Sequence, residues 1–380
     1  MKQTRYLTPD DLIFSAVYGG GIYRWSGERA PDPLMGEEAL SPLLTNLLTG
    51  ETFFLRRLDC PGEEAMASCC RRILTPPGRK DILWPSDLVF LPMSCRDDCA
   101  VLALRQYTDT PLPAEDRPGE LALLFPRGGY PPLAGGERKL RELREGPGLS
   151  WRQPAVRETA AAILRPLAAL NRDGYAYEEI HPSRFLFRED GSVFLDYTPL
   201  LSTAPPRGKP GAELLNVRGG GDFCAPPEGS CPLEFAEPAF VQGLRTRLDF
   251  RSQNYSVTAL LFYLFFGRHP YDGRLLSGYV DDNPRKHYIK FRDYHKMPIF
   301  LFDPRDESNR LGAFAEEQAV LELWEDCPEP LRTLFQNALC EASALRRGGS
   351  GEPPAPEDWL AVLEDLHWIK TAEAGTEDKA

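Results

Sequence analysis

GYAYEEIHPSRFLFREDGSVFLDYTPL, residues 174–200, decides how the rest of the chain is read. It holds a polar loop, a short apolar run (Phe185, Leu186, Phe187), an Asp-Gly pair at Asp190-Gly191, and a second run (Val193, Phe194, Leu195) ending in Asp196. Two such runs around Asp-Gly predict a tight β-hairpin, because glycine adopts the left-handed backbone that short turns need. The loop carries Glu178, Glu179, His181 and Arg184 at its polar positions, and the hairpin brings Arg184 and Asp196 together.

Upstream, residues 154–170 have Val156, Ala160, Ile163, Leu164 and Leu167 at helical spacing, with Pro166 predicting a kink or an early end. Downstream, YSVTALLFYLFF (255–266) is apolar on all faces, as a helix in the middle of a helical region would be, and Gly267 stops it. Residues 330–341 and 356–369 read as further amphipathic helices. The first third reads as strands: a hairpin over 12–25 around Gly19-Gly20-Gly21, a strand over 51–58, a helix over 63–74, and two strands over 87–107. Residues 108–149 are rich in Pro and Gly and read as a connector, residues 201–232 as a mobile loop, and residues 371–380 as a disordered tail. Strands first and helices later, divided near residue 108, give a two-lobed α+β reading, with 1–108 as one lobe and 109–370 as the other.

The chain has 380 residues, enough for two sizeable cores. Its 44 basic against 56 acidic residues leave a net charge of −12, which argues against a nucleic-acid surface. No apolar segment reaches spanning length, and the first residues lack the apolar core of a signal peptide, so a cytoplasmic protein off the membrane is expected. Nine cysteines without regular spacing read as reduced, partly buried thiols.

Three stretches, in order, resemble the protein-kinase superfamily. In residues 177–198, Tyr177-Glu178-Glu179 falls on the first three positions of H-R-D-x-x-x-x-N, Arg184 falls on its Asn, and Asp196-Tyr197-Thr198 falls on D-F-G. NYSVTALLFYLFFGRHPYDG (254–273) is similar to the central helix of the large lobe, and PEPLRTLFQNALCEASALRR with PAPEDWLAVLEDL is similar to its closing helices. ILWPSDLVFL (82–91) and PIFLFDPRDESNRL (298–311) narrow the resemblance to a bacterial kinase-like branch whose members accompany von Willebrand A-type and metal-dependent phosphatase proteins. The resemblance implies a two-lobed protein-kinase-like fold, with a small β-rich N-lobe and a larger, mainly helical C-lobe.

It also implies a site, residue by residue. Gly19, Gly20 and Gly21 stand where a phosphate-covering loop belongs, without its G-x-G-x-x-G spacing; a turn between two strands is the competing reading. Arg56, or Arg57 after a one-residue slip, takes the place of the phosphate-binding lysine, with Glu63 or Glu64 as the helical acid that orients it. Glu179 takes the place of the catalytic Asp with one extra methylene. Arg184 replaces the metal-ligating Asn with a cation that repels Mg²⁺ and is expected to pair with Asp196 or Glu179. Asp196 remains as a metal ligand. Glu237 precedes Pro238 where an acid should follow a proline, and Gln253 stands for the buried Asp that ties the loop to the central helix. The resemblance therefore implies a catalytically impaired pseudokinase with no ATP or Mg²⁺ cofactor. It would bind or scaffold a protein partner, such as a phosphatase or a von Willebrand A-type protein. The alternative is an active atypical kinase using ATP and Mg²⁺, with Glu179 as base and Asp196 on the metal.

Overall fold

The computed structural model describes residues 11–15, 17, 21–31, 40–58, 82–91, 120–127, 134–146, 148–177, 180–196, 200–201, 235–241, 250–276, 298–312, 315–344 and 353–370. Six of its strands, β1 (Leu12–Ser15), β2 (Ile22–Pro31), β3 (Leu40–Asn46), β4 (Thr52–Leu58), β6 (Asp87–Leu91) and β7 (Glu120–Pro126), form a closed antiparallel barrel in the order β1-β2-β3-β4-β7-β6. The short β5 (Ile82–Leu83) lies outside it. A register shift between Trp25 and Arg29 interrupts the β2–β3 ladder, and bulges of this kind bend a sheet toward closure. Closure is completed where β1 meets β6 through Phe14↔Phe90 and Ser15↔Val89.

Strand alternation sorts the barrel's two faces. Ile13, Tyr23, Leu44, Phe53, Leu55, Val89, Ala122 and Leu124 are buried together in one cluster and fill the interior. Residues of opposite parity, Leu43, Phe54, Leu88 and Phe125, belong to a larger cluster that continues into the helices.

After the barrel come β8 (Ala134–Gly135), α1 (Gly136–Glu145), α2 (Pro154–Arg172), β9 (Ala176–Tyr177), β10 (Phe185–Phe187), β11 (Val193–Asp196) and β12 (Leu200–Leu201). Then follow α3 (Pro238–Val241), α4 (Phe250–Phe266), α5 (Ala315–Glu325), α6 (Glu329–Ala344) and α7 (Pro356–Asp365). A four-stranded sheet in the order β5-β11-β10-β8 joins the barrel side to the helical side, with β5 parallel to β11. α4 is buried almost all round, as its apolar sequence predicts; α2, α5 and α6 pack on it through Leu164, Trp324 and Phe335, and α7 packs on α2 and α6, with Trp359 against Phe335.

The two-lobed protein-kinase-like fold expected from the sequence is corrected by this arrangement. The strand-rich part is a closed six-stranded antiparallel barrel, not a small β-rich N-lobe, and one apolar core runs from its outer face into the helices. Closure decides the matter physically, because β1 pairs on both sides and leaves the barrel no free edge.

Other elements differ in detail. The partner of β6 is β7, which falls within the stretch read as a connector, together with α1. Pro118 precedes β7 and Pro126 ends it, and together they mask it as a strand. The expected helix over 63–74, the second strand over 92–107, the division at residue 108, the loop over 202–232 and the tail over 371–380 lie outside the described residues. α2 runs through Pro166 to Arg172; buried Ile163, Leu164, Leu167 and Leu170 pack on both sides of the proline and offset the ~3 kcal/mol a proline costs inside a helix. Among the described residues, no helix is long and apolar enough to cross a membrane.

Candidate functional site

The loop and hairpin of residues 171–196 are assembled from the end of α2. Gly174, at φ 85°, reverses the chain, and the Tyr175 amide donates to the Leu170 carbonyl at 2.9 Å. β9 then pairs antiparallel with β12 through Tyr177↔Leu200. Ile180 is buried, and residues 182–184 form a 3-10 turn in which the Arg184 amide donates to the His181 carbonyl at 2.9 Å. The expected hairpin forms, with Phe185↔Leu195, Leu186↔Phe194 and Phe187↔Val193 in register. Gly191 takes φ 81°, and the Asp190 carboxylate accepts from the Ser192 amide at 2.8 Å and its hydroxyl at 2.6 Å. Those bonds favour the ionised carboxylate and hold its pKa below the ordinary value.

The sequence placed Gln253 where this loop is tied to the central helix, and the geometry agrees. Its side-chain oxygen accepts from the Tyr177 amide at 2.6 Å, and its Nε2 donates to Asn171 Oδ1 at 2.9 Å. One neutral amide at the start of α4 thus grips both the end of α2 and the start of the loop. Gln253→Leu should leave the buried Tyr177 N–H without its acceptor, at a cost of ~1–3 kcal/mol. A lower urea midpoint and faster exchange of the Tyr177 amide are expected; an unchanged exchange rate would remove Gln253 from this role.

The acid displaced to the near side of the proline is also anchored. Glu237 is buried, accepts from the Ser252 hydroxyl at 2.6 Å, and lies 3.5 Å from the Arg251 guanidinium. The segment before α3 is thereby fixed to the first turn of α4.

Arg184 is half-buried, and its carbonyl accepts from the Tyr177 hydroxyl at 3.4 Å. His181 beside it is pushed down to about 4, first by burial and then by the Arg184 charge. The imidazole is therefore neutral at pH 7, and its ring lies 6.0 Å from that of Phe235. Because its folded pKa is depressed, this group adds stability above the ordinary histidine value, and that stability is lost as pH falls toward 4.

The hairpin register, carried one step past Phe185↔Leu195, puts Arg184 opposite Asp196, the last residue of β11. Glu179, Glu63, Glu64, Gly19 and Gly20 lie outside the described residues, as does the side chain of Asp196. Arg56 stands in β4 opposite Leu123, and Arg57 opposite Ala122. Gly21 is described, at the entry to β2, and the Ser15 amide donates to its carbonyl at 2.8 Å. That bond joins the end of β1 to the entry of β2. Among the described residues, no group of three or more His, Cys, Asp or Glu side chains is arranged to hold a metal ion.

Sequence reasoning missed a polar cluster inside the barrel. The Asp87 carboxylate accepts from the Ser15 hydroxyl at 2.7 Å, the Tyr23 hydroxyl at 2.7 Å and the Leu88 amide at 2.8 Å. Burial nevertheless dominates and raises its pKa to about 6. Its only sequence signal is a single acid at the head of the apolar strand DLVFL.

No protein-family model matches the chain, and no curated protein matches it at a significant level.

Proposed function

We propose that the chain is a binding or scaffolding protein of bacterial signalling rather than a phosphotransferase. This reading rests on the degenerate kinase-like loop motifs of residues 177–198 and not on a two-lobed fold. The observation that supports it best is Arg184, a cation in the 3-10 turn whose charge is felt by His181. A guanidinium at the position of a metal-ligating Asn opposes a divalent cation instead of binding one. The polar groups nearby serve to hold structure: Gln253 ties the loop and Glu237 anchors the segment before α3.

The partner is a protein, with a phosphatase or a von Willebrand A-type protein as the class the sequence motifs suggest. Neither ATP nor Mg²⁺ is a cofactor in this reading. The compartment in this reading is the reducing cytoplasm, consistent with the buried thiols of Cys327 and Cys340, which burial pushes up to about 12 and so keeps unreactive.

Calorimetric titration with ATP at millimolar Mg²⁺ tests the reading. Weak or absent heat is expected. A micromolar, Mg²⁺-dependent affinity would overturn it and favour phosphoryl transfer with Glu179 as base and Asp196 on the metal.

A further inference from the structure

The barrel is closed by its shortest joint. β4 and β7 share six paired positions, from Phe53↔Pro126 to Leu58↔Leu121, whereas β1 and β6 share two, Phe14↔Phe90 and Ser15↔Val89. Beside that seam, three strands converge on one carboxylate. Ser15 reaches Asp87 from β1 and Tyr23 reaches it from β2, while Asp87 opens β6. The register puts all three on the barrel's interior face, since Ile13 pairs with Tyr23, Ser15 with Val89, and Asp87 with Leu124. All three residues are at most 4 % exposed. Gly21 sits over the cluster so closely that an added Cβ would lie 2.8 Å from the Ser15 Cβ and 3.2 Å from Asp87 Oδ2.

We infer that Asp87 is a latch on this seam, and that its ionisation loosens the β1–β6 joint so that the barrel opens there first. Inside the barrel the ionised carboxylate has three donors, no counter-charge among the described side chains and no bulk water, and opening the seam hydrates it. The groups facing it are the Ser15 hydroxyl from β1, the Tyr23 phenol from β2, Gly21 from the connection between them, and apolar Leu124 from β7. Of these only Tyr23 is titratable, and no charged neighbour among the described residues contributes to the shift of Asp87; Arg57 of β4, opposite Ala122, shares the interior register. Asp11, the other buried acid of this region, stands four residues back from Ser15, about 13 Å along an extended strand.

The sign follows from the raised pKa. The closed barrel holds the proton up to about pH 6, whereas a hydrated Asp87 releases it near 3.8. The closed state is therefore favoured most below 3.8 and loses that advantage as pH rises through 6. Between pH 5 and pH 8 the opening equilibrium should rise about tenfold, from those two values.

Hydrogen–deuterium exchange of the full chain at pH 5, 6, 7 and 8, corrected for intrinsic rates, tests the latch. Amides of residues 12–15 and 87–91 should exchange about tenfold faster at pH 8 than at pH 5, while those between β4 and β7 should not. Asp87→Asn, which keeps the shape but cannot ionise, should abolish the pH dependence. Ser15→Ala removes a donor to the carboxylate, should move the midpoint upward, and serves as the test if Asp87→Asn fails to fold. A flat profile in the wild type, an equal rise in every strand, or an undiminished rise in Asp87→Asn would overturn the proposal.

Discussion

Phe262→Ser is expected to unfold the helical part of the chain. Phe262 is fully buried about one turn from the C-terminal end of α4, and its ring centroid lies 4.6 Å from Phe266, 5.4 Å from Phe300 and 5.4 Å from Phe335. Those contacts join α4 to α6 and to the segment at 298–302, so one truncation opens a cavity shared by three parts of the core. Removing a buried phenylalanine costs ~3–5 kcal/mol. The serine hydroxyl can bond back to the carbonyl one turn earlier, which keeps any added polar penalty near the low end of ~1–3 kcal/mol. The sum approaches the whole stability of a typical domain. Thermal melting followed by circular dichroism should show loss of helix at ordinary temperature, and an unchanged melting temperature would mean that Phe262 is not at the centre of the core.

Gly136→Ala should be nearly as damaging, for a reason of contact rather than burial. A Cβ at Gly136 would lie 2.0 Å from the Pro182 carbonyl oxygen and 3.1 Å from that of Phe185. Both neighbours are backbone, so no side chain can rotate away; either α1 or the 182–185 turn must retreat by about 1 Å to restore ordinary packing. Overpacking of this kind costs ~1–3 kcal/mol and sometimes more. Because Gly135 pairs with Leu186, the displacement should carry into the hairpin. A fall in the urea midpoint with faster exchange at residues 182–187 is the expected result. Gly50→Ala is the contrast: nothing lies within 4 Å, and only its φ of 74° opposes the change, at about 1 kcal/mol. Equal stability of Gly136→Ala and wild type would show that α1 does not abut the turn.

The features legible in the sequence were those set by short-range chemistry. An all-apolar run announced α4 as a buried helix and Asp190-Gly191 announced the hairpin. Gln253 was read as an altered anchor in place of a tying Asp, and the structure shows that its amide makes the tie. The helix expected over 154–170 forms, and of the two outcomes expected at Pro166, a kink or an early end, the early end does not occur: α2 continues to Arg172 because its buried neighbours outweigh the lost hydrogen bond. The prediction missed β7, whose partners β4 and β6 lie far away in the chain.

By itself the sequence determined the local states with a strong pattern: the all-apolar helix α4, the amphipathic helices α2, α6 and α7, and the turn at Asp190-Gly191. Barrel closure was decided only in three dimensions, because pairing β1 with β6 joins residues more than seventy positions apart, and no local periodicity records which edges meet. The same holds for Asp87. In sequence it is one acid among 56 acidic residues, and only the folding of β1, β2 and β6 around it removes its water and makes its ionisation costly.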